Sequence, residues 1–305
     1  MNRGERPFVP GTLLERAERQ SDRARESGAL EPCATTQGTI ADGSVQFLIH
    51  RAESFSRKTG GDPDRTESSE KSNPFIDYDR DLFVAIISRT HICLLNKFPV
   101  IPNHLLIVTR VRERQESLLN HDDFAALFRC LEEVDGLGFY NGGRLAGASQ
   151  GHKHLQLAPL PLAREGPALP MEALIASAAR DRLADAVPGA PFRHALAWRD
   201  SETGNGPGVA AAHRIYLDML EALFPAPETP DWKRQGVQPG PYNLLVTRRW
   251  MMLVPRSADQ FAGIPVNALG YAGSFFIWTD EQWNTVQTYG PMTVLAAVAL
   301  PRAEP

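Results

Sequence analysis

Hydrophobic and polar positions follow one another in short, changing rhythms along this chain. Near the amino terminus, Thr12 and Glu15 stand at capping-box spacing and predict a charged surface helix running to about Arg25. The rhythm then shortens: Asp42-Gly43 is a favoured turn pair and Val45-Gln46-Phe47-Leu48-Ile49 is strand-like, so a hairpin is expected over residues 39–49. Residues 59–74 are polar and rich in Gly, Ser, Asp and Glu, which reads as a loop. Three apolar runs of strand length follow, residues 82–87, 92–95 and 104–108. Pro99 and Pro102 confine the separator 96–103 to a loop or a sheet edge. Phe124, Leu127, Phe128, Leu131 and Val134 recur at helical spacing, with Asn120 as cap and Asp123 in the first turn. Gly136 and Gly138 are expected to end that helix. Phe139-Tyr140 then leads into a glycine-rich loop, residues 141–151, which enters a strand over 152–157.

In the second half the pattern predicts a helix over 170–187, a strand over 192–198 and a helix over 209–223. A proline-rich stretch, 224–241, separates these from a hairpin-like pair, 242–247 and 250–254; beyond it lie an apolar run, 264–278, and a helix capped by Thr279 with Gln282. Strands interleaved with isolated helices, without strict alternation, indicate an α+β fold with a mostly antiparallel sheet flanked by helices. A loose internal repeat accompanies this: Leu105-Leu106-Ile107-Val108-Thr109-Arg110 returns as Leu244-Leu245-Val246-Thr247-Arg248, and Leu145-Ala146-Gly147-Ala148-Ser149 is echoed by Tyr271-Ala272-Gly273-Ser274.

Composition narrows the classes. A chain of 305 residues with 43% hydrophobic content suffices for one large domain or two modest ones. The net charge of -4 gives no global basic field of the kind that binds nucleic acid. Cys33, Cys93 and Cys130 are scattered and form neither a disulfide framework nor a paired metal-ligand motif, which suits a reducing compartment. The first residues lack a signal-peptide apolar core, and no apolar run reaches the roughly 20 residues of a membrane span, so a cytoplasmic protein without a membrane partner is expected.

The chemistry concentrates in His152-Lys153-His154-Leu155-Gln156. On a strand, His152, His154 and Gln156 share one face, roughly 6.5 Å apart, and Lys153 and Leu155 point the other way. The preceding loop is rich in glycine and small residues, so its backbone amides are able to approach an anion closely. Two imidazoles and an amide beside such a loop form a site for phosphate chemistry, since neutral imidazole is a good nucleophile whose phosphoramidate turns over. A His-x-His pair also suits zinc, which then needs a third convergent ligand; His50, His91, His104, His121, His194 and His213 form no second motif, and no carboxylate cluster marks a metal site. The plainest alternative is two surface histidines on an exposed strand.

The runs Asn96-Lys97-Phe98-Pro99-Val100-Ile101-Pro102-Asn103-His104-Leu105-Leu106, Phe139-Tyr140-Asn141-Gly142-Gly143 and Gly147-Ala148-Ser149-Gln150-Gly151-His152-Lys153-His154-Leu155-Gln156 resemble the diadenosine tetraphosphate (Ap4A) phosphorylases. These are the ATP adenylyltransferase branch of the histidine triad (HIT-like) superfamily. Asn73-Pro74-Phe75 and the segment 242–257 share the resemblance, which spans about residues 40 to 280. It implies a HIT-like part over 1–165 carrying the site, with a C-terminal part over 166–305 packed on it and adding strands and helices. It also implies phosphorolysis of Ap4A by phosphate to ATP and ADP, reversibly. His154 would be the nucleophile at the α-phosphorus, and His152 would support it through a main-chain carbonyl that fixes its tautomer. Gln156 would bind a non-bridging oxygen. Hydrolases of the superfamily carry a third histidine at that position; an amide exchanges no proton at neutral pH, which favours transfer to an anionic acceptor over hydrolysis.

By the same resemblance Lys58, Asn96 and Lys97 would contact the nucleotide or its phosphates. Asn141 would contact ribose or phosphate, and Gly147, Ala148, Ser149 and Gln150 would form the phosphate-cradling turn. His104 reads as structural; Asn267, Ser274 and Arg144 are weaker candidates for the same cleft. No tightly bound cofactor is implied, and any magnesium would accompany the polyphosphate. The ligands implied are Ap4A, ATP, ADP and phosphate. Adenylyl sulfate or another nucleotidyl acceptor at the same histidine, or a nucleotide-binding module without turnover, are the alternatives; related uridylyltransferases usually add zinc-ligand cysteines that this chain lacks.

Overall fold

The structure, a computed structural model, describes residues 9–52, 73–180, 183–199, 208–224 and 231–302. Lys58 and nearly all of the polar stretch 59–74 lie outside them. The chain opens with helix α1 (Leu13–Glu26) and the hairpin β1 (Thr35–Asp42) and β2 (Val45–Ala52). Strands β3 (Phe83–Ile86), β4 (His91–Leu95) and β5 (Leu105–Thr109) form a meander, followed by α2 (His121–Glu133), β6 (Gly136–Gly142) and β7 (His154–Pro159). One turn of helix, α3 (Glu172–Ile175), leads to β8 (Ala195–Trp198), α4 (Val209–Leu223) and the short α5 (Trp232–Gln235). Then come β9 (Tyr242–Val246), β10 (Trp250–Pro255), β11 (Gln260–Phe261) and β12 (Ile264–Pro265). The last elements are α6 (Ala268–Tyr271), β13 (Ser274–Ile277), α7 (Asp280–Tyr289) and α8 (Pro291–Val298).

Among the described residues, eight strands join into one sheet of order β3-β4-β5-β7-β6-β9-β10-β8, antiparallel at every pairing. This is the α+β architecture expected. Period-2 alternation decides what each face meets. Cys93, Ile107, Leu155, Leu157, Tyr140, Leu244 and Leu253 point to one side and pack under α1, α2 and α4. The other side is divided. Leu137, Phe139, Leu245 and Met252 meet β2, β13 and α6 to α8, where β1, β2 and β13 form a second sheet. At the opposite end Ile92, Leu94, Leu106 and Val108 form a small cluster with Phe75. The polar side chains of β7 emerge on this divided face, between the two apolar groups.

Several sequence-based expectations change in the structure. Thr12 precedes α1 without capping it: its hydroxyl donates to the Val9 carbonyl at 2.6 Å, so the Thr12–Glu15 box is not formed. The first hairpin turns on Gly43-Ser44, since Asp42 pairs with Val45 and stays in the strand. Helix 170–187 shrinks to Glu172–Ile175; Ala184 forms a bridge with Ala195, and Val187 N donates to His194 Nε2 at 2.9 Å, which draws the segment to the β8 edge. Gly136 and Gly138 do not lie in a helix terminus but within β6, paired with Pro159 and Leu157. A Cβ on Gly138 would come within 2.7 Å of Leu127, so glycine there lets α2 settle onto the sheet. The α2 cap at Asn120 with Asp123 in the first turn, the α7 cap at Thr279 with Gln282, and α4 over 209–223 form as expected, and Asp123 in addition closes a capping box with Asn120.

Candidate active site

His154 opens β7 with its ring 4% exposed. Its Nδ1–H donates to the carbonyl of His152 at 2.8 Å, which leaves Nε2 as the lone-pair nitrogen, without a hydrogen-bond partner among the described residues. Burial lowers the His154 pKa to about 4, so the ring is neutral at physiological pH. The backbone of His154 is clamped by Gln115, whose Oε1 accepts from His154 N at 3.0 Å while Nε2 donates to the carbonyls of Asn141 (2.9 Å) and His154 (3.3 Å). Gln115 stood outside the sequence reading; a lone Gln in a charged loop gives no periodic signal.

His152 lies before the strand proper, in a bridge with Arg114. Its Nε2–H donates to the Thr109 carbonyl at 2.8 Å, and its Nδ1 accepts from Asn73 Nδ2 at 2.8 Å. Both nitrogens are thus engaged, and His152 acts on its neighbour through its main-chain carbonyl. The orientation of Asn73 is itself determined, because its Oδ1 accepts from Phe75 N at 3.0 Å. Phe75 then packs its ring against His154, with centroids 4.9 Å apart, and against His152 at 5.8 Å.

The loop between β6 and β7 turns at Gly147, where φ is +88° and a Cβ would meet the Asn267 Cβ at 2.7 Å. Ser149 and Gln150 are exposed, and the backbone N–H groups of residues 149–151 find no acceptor among the described residues. A buried chain of polar groups lies beneath the loop. Arg256 donates to Asn243 Oδ1, and Asn243 Nδ2 donates to Asn141 Oδ1 (2.9 Å) and to the Ala146 carbonyl (2.8 Å). Asn141 Oδ1 also accepts from Ala268 N at 3.0 Å. The Asn141 side-chain oxygen is therefore committed to holding β6, β9 and α6 together, and of the side chain only the amide nitrogen remains for a ligand.

Gln156 is half-buried on the face shared with His154 and pairs across to Phe139 and Leu106. Beside it lies His104, 5% exposed. Asn96 is occupied: Nδ2 donates to His104 Nδ1 at 3.1 Å and Oδ1 accepts from Phe98 N at 3.2 Å. Lys97 is half-exposed, 3.4 Å from Glu31. Lys153 faces away, as alternation requires, and is fully buried against α2. Its ammonium lies 2.6 Å from Asp123 Oδ2 and 3.1 Å from Glu113 Oε2, and Asp123 Oδ1 accepts from His91 Nε2 at 3.0 Å. Ser274 is buried in β13, and Asn267 caps α6 through Leu269 N at 2.9 Å. Arg144 is exposed in the loop, and no cluster of three metal-ligating side chains occurs among the described residues.

Residues 3–177 match the Ap4A phosphorylase N-terminal domain, and residues 188–301 match the ATP adenylyltransferase C-terminal domain. The chain belongs to the Ap4A phosphorylase family. Among its relatives is Protein APA1 of Saccharomyces cerevisiae, 27% identical over 286 aligned positions, with 83% of this chain and 82% of that protein covered. Another is diadenosine 5',5'''-P1,P4-tetraphosphate phosphorylase 2 of the same yeast, 27% identical over 266 aligned positions, with 78% of each chain covered. The crystal structure of yeast Ap4A phosphorylase Apa2 superposes with a TM-score of 0.77 at 22% identity, covering 97% of both chains. The same protein in complex with Ap4A gives 0.74 at 20% identity, covering 97% of this chain and 100% of that one. The fold is thus the HIT-like one expected of an Ap4A phosphorylase, with strands from both matched regions paired in one sheet at β6–β9.

Proposed function

We propose that this chain catalyses phosphorolysis of Ap4A by inorganic phosphate, giving ATP and ADP, with the reverse reaction in the ATP adenylyltransferase direction. The observation that carries this reading is the neutral, one-sided imidazole of His154: Nδ1–H is held by the His152 carbonyl and Nε2 has no hydrogen-bond partner among the described residues. In the first step Nε2 attacks the α-phosphorus. An N–P bond forms, the bond to the bridging oxygen breaks, and its electron pair leaves on ATP. The Nδ1 proton stays in place, so the adenylyl-histidine ring is cationic, offset by the His152 carbonyl and primed to leave. A phosphate oxygen then attacks the same phosphorus, the N–P bond breaks, and ADP departs as the ring returns to neutral. Neither leaving group receives a proton from the enzyme. Gln156 suits this balance, because an amide holds a non-bridging oxygen without exchanging a proton.

The unpaired N–H groups of residues 149–151 would cradle the phosphates, with Gly147 and Ala148 shaping the turn and Ser149 and Gln150 presented to solvent. Lys97, Lys58 and the Asn141 amide nitrogen would add contacts. The apolar group formed by Phe75, Ile92, Leu94, Leu106 and Val108 offers a flat base a place beside His154. Magnesium would arrive on the polyphosphate with much of its water. A reducing, cytoplasmic setting suits the free Cys33, Cys93 and Cys130. The names of the yeast relatives support the substrate class.

Incubation with Ap4A, with and without phosphate, tests the reading. Equal ATP and ADP should appear only with phosphate. Without it, one burst of ATP should accompany an acid-labile adenylylated protein, and His154→Ala should abolish both. Phosphate-independent formation of ATP plus AMP would assign the chain to the hydrolases, and full activity in His154→Ala would refute the mechanism.

A further inference from the structure

Two short turns in this chain share one design. In Asn73-Pro74-Phe75 the Asn oxygen accepts from the Phe75 N–H at 3.0 Å, which points its amide nitrogen at His152 Nδ1, 2.8 Å away. In Asn96-Lys97-Phe98 the Asn oxygen accepts from the Phe98 N–H at 3.2 Å, which points its amide nitrogen at His104 Nδ1, 3.1 Å away. Because the backbone N–H determines which end of each amide is oxygen, each histidine must accept at Nδ1 and therefore carry its proton on Nε2. For His152 that Nε2–H is used on the Thr109 carbonyl at 2.8 Å. For His104 it is not: the residue is 5% exposed, and its buried Nε2 has no hydrogen-bond partner among the described residues.

We propose that His104 is a positioning residue for Gln156: with nucleotide bound, His104 Nε2–H donates to Gln156 Oε1 and turns the amide NH2 toward the α-phosphate. The inference rests on the adenylyl transfer described above. A glutamine amide presents either end with nearly equal ease, and the wrong end sets an oxygen against the phosphate oxygens. A donor of fixed tautomer behind it selects one orientation. His104, Leu106 and Val108 alternate onto the same face of β5 as Gln156 and His154 on β7, with Leu106 paired to Gln156 and Val108 to His154. The Gln156 amide sits near enough to favour a charge on His104, although the pair is not in hydrogen-bond geometry in the free protein. Burial nonetheless lowers the His104 pKa to about 4, so the ring keeps a single Nε2 proton at any working pH. The Phe139 ring, with its centroid 5.6 Å from that of His104, closes the far side. Orientation thus passes from a backbone N–H through Asn96 and His104 to Gln156, a glutamine two positions beyond the nucleophile.

The test is a double-mutant cycle on Ap4A phosphorolysis. His104→Phe, which fills the space without a donor, should lower kcat about tenfold or more while leaving KM for Ap4A within about threefold. His104→Gln, which restores an N–H, should recover part of the loss. In a Gln156→Ala background, His104→Phe should have almost no further effect. Equal losses in both backgrounds, or unchanged kcat in His104→Phe, would overturn the proposal. A second readout needs no turnover and so separates this inference from the assigned reaction. Long-range nitrogen–proton spectra of the full chain should show His104 as the Nε2–H tautomer at pH 7. Adding AMP should shift the Gln156 side-chain amide in the wild type, much less in His104→Phe and to an intermediate extent in His104→Gln. The Nδ1–H tautomer, or identical shifts in every variant, would refute the positioning role even if the enzyme proved fully active.

Discussion

A histidine that attacks phosphorus must be unprotonated and must face its target with a defined nitrogen, and the surroundings of His154 meet both demands. Burial holds the ring neutral down to about pH 4, and the His152 carbonyl occupies Nδ1. The rate of ATP release in a single turnover without phosphate should therefore stay flat from neutral pH to about pH 5 and fall only below it. Omitting the acceptor removes its own ionisation from the profile; an inflection near the ordinary histidine value of about 6.5 would contradict the proposed attack by a buried, neutral His154. Gln115 supports the same residue from behind. Gln115→Ala would remove the acceptor of the buried His154 N–H and one donor each from the Asn141 and His154 carbonyls, so a loss of roughly 1–3 kcal/mol in stability is expected, with a fall in kcat. Urea denaturation alongside turnover measures both. Neither the clamp nor the orphaned Nε2 of His104 was legible in the sequence, because the clamp joins residues 39 positions apart and the orphan is set by burial under the folded sheet.

Elements with a strong local signature were legible, and those shaped by long-range contact were not. The boxes of α2 and α7 form because Asn120 and Thr279 satisfy nearby N–H groups within their own turn. The helix expected over 170–187 rested on alanine-rich propensity, which gives way where Val187 donates to His194 and Ala184 bridges Ala195. Strand β6 was hidden for the opposite reason: its glycines look like helix breakers until the approach of Leu127 is seen. The site strand was readable from alternation alone, since Lys153 and His154 do fall on opposite faces. The loop between β6 and β7 combines both kinds of signal. Glycine at 147 is demanded locally by φ of +88° and remotely by Asn267, so Gly147→Ala should lower stability by about 1–3 kcal/mol. Because it distorts the turn itself, it should also weaken AMP binding measured by calorimetry; unaltered affinity would show that the loop holds no phosphate.

Over the whole molecule, strands from both matched regions share one sheet, and the loosely repeated segments become β5 and β9, which flank the central β7–β6 pair on either side. His154, the loop between β6 and β7 and the Arg256–Asn243–Asn141 chain are therefore parts of one cooperative core, and ionisation buried in that core bears on global stability. His50, His104 and His154 each have a folded pKa lowered by burial to about 4. In the unfolded chain they titrate near 6.5. Between those values the unfolded state binds more protons, so stability is full above about pH 6.5 and declines as pH falls toward 4, by up to roughly 3 kcal/mol per histidine. Asp123 acts in the same direction: burial opposes its charge, but the hydrogen bond from His91 and the Lys153 ammonium outweigh that and hold its carboxyl below the usual range. His50 isolates the effect, because it lies in β2, stacked on Phe276 at 5.0 Å with its Nε2 unpartnered, apart from the reacting groups. His50→Phe should leave kcat for phosphorolysis near the wild-type value while raising the melting temperature at pH 5 more than at pH 7.5. An equal shift at both pH values would mean that this histidine is not held neutral by the fold.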